Sequence, residues 1–227
     1  MRSLFTLFII LITGFGSIAQ VEKTVIVEHF TNTRCGVCAS KNPGLFSLLD
    51  NYPQVLHIAF HPSSPYSSCI FSQHNPAEND ARTNFYGIYG GTPRVVLNGN
   101  VIGIQSPLLT SDQLDAALGQ TSDFDLRVSH EQTDNDEVQV QIVVKKVSES
   151  LVQSPLIFAM IAEKEIDYAA PNGENLHHDV FRKLLIDENF TISDVGDSIV
   201  LTDSYTIHND WDEEELIVFA IIQNESN

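Results

Sequence analysis

The stretch Thr24-Val25-Ile26-Val27-Glu28-His29-Phe30-Thr31-Asn32-Thr33-Arg34-Cys35-Gly36-Val37-Cys38 decides how the chain is read. Thr24 to Phe30 is short, β-branched and mostly apolar, which marks a buried strand. Residues 36 to 50 carry helix-compatible spacing of apolar groups and end in Asp50-Asn51-Tyr52-Pro53, a helix stop. Pro43 falls inside that helix and predicts a kink, because its ring removes an amide hydrogen bond. A Cys-x-x-Cys pair between strand and helix has a physical rationale. The first helical turn leaves amide hydrogens unpaired, and its positive end stabilises a thiolate. Cys35 is therefore expected to be the attacking nucleophile. Cys38, one turn later, is expected to resolve the mixed disulfide by intramolecular attack.

Outward from this stretch, Val55 to Phe60 reads as a second buried strand. His61 to Asn79 reads as a long polar insertion with three prolines, followed by a helical stretch from Ala81 to Tyr86. Gly90-Gly91-Thr92-Pro93 leads into a strand at Arg94 to Leu97, with Asn98-Gly99 as a hairpin turn and Val101 to Ile104 returning. Ser111 to Leu118 reads as a terminal helix capped through Ser111 and Gln113.

Beyond Thr121 the rhythm becomes all-β. Strands are expected at Phe124 to His130, Val138 to Val147, Leu156 to Ile166, Ile199 to Ile207 and Leu216 to Gln223. In Val138-Gln139-Val140-Gln141-Ile142 the polar residues recur at every second position, as in a strand with one wet and one packed face. A two-sheet sandwich fits this half best. His177 to Ile186 carries an apolar helical spacing and reads as a short helix or ordered loop interrupting the strands. His177 and His178 are neighbours whose side chains point in different directions, which favours surface or packing roles.

The first nineteen residues have the layout of a secretory signal peptide: Arg2, an apolar run from Leu4 to Ile12, and the small residues Ser17 and Ala19 before Gln20. The run is too short to span a bilayer permanently, and no cysteine follows the expected cut, which argues against a lipoprotein anchor. The expected organisation is a leader at 1–19, an α/β domain at 20–121 and a β-sandwich at 122–227. Residues 20–121 hold 7 acidic and 5 basic side chains, and residues 122–227 hold 23 acidic and 6 basic. Such an acidic second half repels phosphate backbones and anionic lipid, so neither nucleic acid nor electrostatic membrane docking is expected. The acidic runs Asp134-Asn135-Asp136-Glu137 and Asp210-Trp211-Asp212-Glu213-Glu214-Glu215 lack the spacing and glycine of an EF-hand loop. Three cysteines are too few for a disulfide scaffold, but export places them where disulfides persist.

The segment Val25 to Cys38, with Pro43 eight positions beyond the first cysteine and Gly91-Thr92-Pro93, resembles the thioredoxin superfamily. The order strand, helix, strand, helix, hairpin, helix is also that of thioredoxin. The resemblance implies an α/β domain with a central sheet flanked by helices and thiol–disulfide exchange with protein clients. It makes Thr92 and Pro93 substrate-positioning residues in a cis-proline loop, and a cis bond is accessible because it precedes proline. It also implies a buried acid, and Glu28 takes that role with one residue of extra spacing, either as proton acceptor for Cys38 or as an exposed strand-end carboxylate. The chain departs from thioredoxin in Gly36-Val37 between the cysteines and in Arg34 before the first. Arg34 either favours the Cys35 thiolate or is simply solvated. Tyr86-Gly87-Ile88, the all-β second half and His177-His178-Asp179-Val180-Phe181-Arg182 extend the resemblance to a Gram-negative envelope family, the outer-membrane proteins of the twenty-eight-kilodalton class. That resemblance implies a thioredoxin-like domain fused to an immunoglobulin-like sandwich.

Cys69 reads as a buried bystander, a regulatory thiol or a third redox partner. Cys35, Cys38, Cys69 and His61 or His74 would make a Cys3His zinc site in principle, but a Cys-x-x-Cys after a strand is better explained by redox chemistry. No cofactor is expected, and no hydrolase, P-loop or dinucleotide motif occurs. Two functions follow. The first is an exported oxidoreductase of the periplasm or outer-membrane-associated envelope, exchanging disulfides with protein clients and an envelope redox partner. The second is a non-catalytic envelope binding or structural protein in which Cys35–Cys38 is a structural disulfide.

Overall fold

The computed structural model describes residues 21–133, 137–149, 152 and 154–224. The expected leader and three residues of the run from Asp134 to Glu137 lie outside them. The chain is a mixed α/β fold with large sheets and few helices. Twelve strands among the described residues are β1 (Val21–Glu22), β2 (Ile26–Phe30), β3 (Leu56–Phe60), β4 (Arg94–Leu97), β5 (Asn100–Val101), β6 (Thr121–Ser122), β7 (Phe124–Gln132), β8 (Glu137–Lys146), β9 (Pro155–Asp167), β10 (Leu176–Asn189), β11 (Ser198–Thr206) and β12 (Leu216–Asn224). The helices are α1 (Gly36–Leu49), α2 (Ile70–His74), α3 (Pro76–Phe85) and α4 (Ser111–Ala117). None of the described helices is long and apolar enough to cross a membrane.

A seven-stranded sheet runs in the order β12-β9-β10-β3-β2-β4-β5, and a three-stranded sheet in the order β11-β8-β7. The halves therefore do not keep separate sheets as expected. Strand β10 lies parallel to β3, with Val180 opposite Ala59, so the second half extends the first half's sheet. The short pair β1–β6, with Val21 opposite Ser122, ties the start of the described chain to the junction.

The alternation of side chains along each strand assigns the layers. Ile26 and Phe30 of β2 join Ile58, Phe60, Val96, Tyr86, Ile88, Phe158 and Met160 in one core, on the face where α3 leads into Tyr86. Val25 and Val27 point the other way and pack with Leu45 of α1 and Leu114 and Ala117 of α4. Strand β9 is buried on both sides: Phe158, Met160 and Ala162 enter the first core, while Ile157, Ala159 and Ile161 meet Val140, Ile142 and Val144 of the three-stranded sheet. A sandwich does form, but one of its sheets is the far end of the α/β sheet.

Strand β10 corrects the helix-or-loop reading of His177 to Ile186. Register shifts between Phe181 and Lys183 and between Leu184 and Ile186 insert extra residues against β9. Each shift resets the period of two, so the apolar spacing mimics a helix. The expected polar insertion is more ordered than predicted: it contains α2, and α3 begins at Pro76, where Asn75 caps Glu78 N–H. The cap of α4 is Thr110, one residue before the predicted serine, paired reciprocally with Gln113. The strand returning after Asn98-Gly99 extends only over Asn100–Val101.

Candidate functional site

Cys35 is the N-cap of α1, with extended backbone at φ −88° and ψ 106°. The loop before it is held by Asn32, whose Oδ1 accepts from Arg34 N–H at 2.9 Å and whose Nδ2 donates to the carbonyls of Pro62 and Tyr66 at 3.1 and 3.2 Å. Cys35 N–H donates to the Asn32 carbonyl at 3.0 Å. These bonds fix where the helix starts.

Cys35 and Cys38 form a disulfide, with Cα atoms 5.2 Å apart. Cys38 N–H donates to Cys35 Sγ at 3.0 Å, the contact that would steady a thiolate at a helix N-terminus. Cys35 is 3% exposed and Cys38 is fully buried. The Thr92–Pro93 peptide is cis. Thr92 faces both sulfurs: its carbonyl lies 3.5 Å from Cys35 Sγ and its hydroxyl 3.3 Å from Cys38 Sγ. Fold and sequence thus bring four of the six expected site residues together.

The other two lie differently. Arg34 is exposed beside Cys35, and its Nε donates to the Ser68 carbonyl at 3.3 Å. Glu28 is neither an exposed carboxylate nor a partner of Cys38. It is 1% exposed and points to the α3 side of the sheet, away from α1. There it accepts from Arg82 Nε at 2.6 Å and Nη2 at 3.0 Å, and from the Tyr86 hydroxyl. Burial and then the Glu28 charge push the Tyr86 hydroxyl well above its ordinary range. Arg82 also stacks over Phe158, 4.3 Å from the ring centre, so the carboxylate is bound in a closed network.

The buried titratable residue on the α1 side of β2 is His29, which the sequence reading passed over. Its ring lies 6.0 Å from Phe46 of α1 and 5.6 Å from His57. Neither ring nitrogen has a hydrogen-bond partner among the described residues. Burial, followed by the neighbouring His57 and His61, drives its pKa well below the ordinary value, while the Asn42 side chain pulls the other way. His61 is also driven down, by burial first and then by His177 and Arg182. Burial therefore disfavours the charged form of both imidazoles. Strand alternation could have found His29: it is two positions from Val27, which faces the helix.

A second contribution comes from the loop between β9 and β10. Asn172 Nδ2 donates to the carbonyls of Cys35 at 3.2 Å and Asn32 at 3.3 Å, and Asn172 N–H donates to the Thr33 carbonyl at 3.2 Å. Glu174 Oε1 accepts from Asn42 Nδ2 at 2.8 Å, and Asn42 in turn donates to the Thr31 hydroxyl. Cys69 is buried, with Thr33 Oγ1 donating to its sulfur at 3.1 Å. Beside Thr92 and Pro93, a cleft of about 160 Å3 is lined by Val37, Lys41, the Tyr89–Arg94 loop and Ile104. Val37, Tyr89 and Ile104 are 54%, 71% and 83% exposed, an unusual degree for large apolar groups.

No family model and no curated protein matches this sequence. The fold is similar to that of HBP35 of Porphyromonas gingivalis, at a TM-score of 0.74 and 18% identity over 89% of this chain and 69% of that one. It is also similar to that of a protein from Agrobacterium tumefaciens, at a TM-score of 0.55 and 17% identity over 92% of this chain and 98% of that one. At these identities the likeness concerns the fold.

Proposed function

We propose that the chain is an exported thiol–disulfide oxidoreductase of the Gram-negative envelope, acting on protein clients through Cys35 and Cys38. In this reading β2, α1, β3, α3, β4, β5 and α4 form a thioredoxin-like unit, and the remaining strands are an immunoglobulin-like addition that buttresses the site and docks partners. The observation that carries it is the disulfide at the start of α1, with Cys38 N–H on Cys35 Sγ and Thr92 against both sulfurs.

In the reducing direction, the Cys35 thiolate attacks a client disulfide. One client sulfur leaves as a thiolate, and a mixed disulfide forms. Cys38, deprotonated, then attacks Cys35 Sγ, which releases the second client thiolate and leaves Cys35–Cys38 oxidised. An envelope dithiol partner returns the two electrons. The oxidising direction is the same sequence reversed. Thr92 offers the backbone carbonyl and hydroxyl that hold an extended client segment, and Val37, Tyr89 and Ile104 supply apolar contact beside it.

Insulin reduction measured on the wild type and on Cys35→Ser tests the reading, and equal rates would remove it. The near-complete burial of Cys35 favours a second reading, a structural disulfide in an envelope binding protein. A potential below about −300 mV supports that alternative, and a more oxidising one supports catalysis.

A further inference from the structure

Two clefts meet at Thr92, and their linings carry opposite charge. The first, of about 230 Å3, lies beside α3 and is lined by Ser63, Ser64, Asp80, Thr83 and Asn84, with no cation among its lining residues. The second, of about 160 Å3, is lined by Val37, Lys41, Arg94 and Ile104, with no carboxylate. Tyr89, Gly90, Gly91 and Thr92 line both. A cavity of about 150 Å3 takes a group the size of benzene, so each cleft has room for one side chain of a bound segment.

The charges are held in place and are available. Asp80 accepts from Ser63 N–H at 2.7 Å and from Ser63 Oγ at 2.6 Å, which orients its carboxylate without neutralising it. Lys41 Nζ donates to the Gln105 carbonyl at 3.1 Å, and neither Lys41 nor Arg94 has an ion-pair partner among the described residues. All three residues are half-buried, where attraction is screened less than at an open surface. Between the clefts the loop is bare. Gly90 and Gly91 have φ of +94° and +114°, and a Cβ at either would meet no atom within 4 Å. An extended segment therefore crosses from one cleft to the other over backbone alone. At the crossing Thr92 touches both sulfurs, which is where a client cysteine undergoing exchange has to lie.

We propose that the two clefts select polypeptide clients whose exchanging cysteine has basic residues on one side in sequence and acidic residues on the other. The basic side lies beside Asp80 and the acidic side beside Lys41 and Arg94. This rests on the reading of Cys35 and Cys38 as an exchanging pair, and it makes these three residues the determinants of client choice and orientation. The overall charge of −18 attracts any cationic peptide. The clefts add a preference for the order of charges, which net charge cannot supply.

Two end-blocked peptides of one composition, Ala-Lys-Lys-Cys-Glu-Glu-Ala and Ala-Glu-Glu-Cys-Lys-Lys-Ala, separate the order of charges from their sum. Each carries its cysteine as a disulfide to thionitrobenzoate. In reduced Cys38→Ser protein the Cys35 thiolate attacks the peptide sulfur, forms the protein–peptide disulfide and expels thionitrobenzoate with the bonding electron pair, read by absorbance. The Cys35→Ser/Cys38→Ser protein gives the background, and the rate with dithiothreitol gives each peptide's intrinsic reactivity. After both corrections one order is expected to react about fivefold or more faster than the other. Arg94→Glu, at a side chain without an ion pair, places a carboxylate in the cationic cleft and should bring the two rates together, whereas Arg94→Lys should keep them apart. Equal corrected rates with the unsubstituted clefts, a ratio unmoved by Arg94→Glu, or a ratio lost equally in Arg94→Lys would each overturn the proposal. Insulin reduction with equal peptide rates would defeat the clefts and leave the redox reading standing. A preference for one order without insulin reduction would do the reverse.

Discussion

Asn172 Nδ2 donates to the carbonyl of Cys35 at 3.2 Å across 137 positions of sequence. The β9–β10 loop thereby holds the carbonyl at the start of α1, and the second half of the chain shapes the surroundings of the disulfide directly. Replacing Asn172 with alanine removes this bond and its companion to Asn32. The expected cost is about 1–2 kcal/mol of stability, read by urea unfolding, with slower insulin reduction because the cap that presents Cys35 is loosened. Unchanged turnover in a destabilised protein would limit the loop to a structural part.

The roles of the two sulfurs separate in single variants. Cys38→Ser should accumulate a covalent mixed disulfide between Cys35 and a client, because the resolving attack is gone. Cys35→Ser should trap none. Non-reducing electrophoresis with mass spectrometry of the adduct reads both.

Glu28 and Arg82 should behave as a structural pair. Glu28→Gln leaves a buried guanidinium without its counter-charge, and a loss of about 3–5 kcal/mol is expected. The double replacement Glu28→Leu/Arg82→Leu should cost less than the sum of the two single changes. Alkylation of Cys35 across pH should be the same in any folded Glu28 variant and the wild type, since the carboxylate faces away from α1. A moved alkylation profile would restore Glu28 to the redox site.

Stability should fall in mild acid. His29 and His61 are both driven below their ordinary pKa by burial, so the unfolded chain binds protons that the folded chain refuses. Their contribution is complete above about pH 6.5 and declines as pH drops below it, by up to ~1.4 kcal/mol per pH unit for each residue. His29→Gln should flatten this decline by about one proton. Urea midpoints between pH 7.5 and 5 provide the check, and a wild type equally stable throughout would contradict the buried neutral assignment.

Much of the site was legible from local rules. Cys35, Cys38 and the start of α1 follow from a β-branched run meeting a helix, and the alternating strands of the second half were visible in residues such as Val138 to Ile142. Glu28 was misread because an acid near a redox pair looks chemical until its partner is known, and Arg82 lies 54 positions away. His29 was passed over although its strand phase places it on the helix side.

The sequence by itself determined the Cys-x-x-Cys pair, the strand and helix that carry it, and the change to a β-rich second half. These are written in near-neighbour spacing, where propensity, periodicity and helix-end chemistry act. Only the tertiary structure decided that β10 joins β3 and that Asn172 reaches the start of α1 from the far half. Strand pairing links residues by backbone hydrogen bonds that carry little side-chain code, and bulges in β10 erase the period that would have announced it.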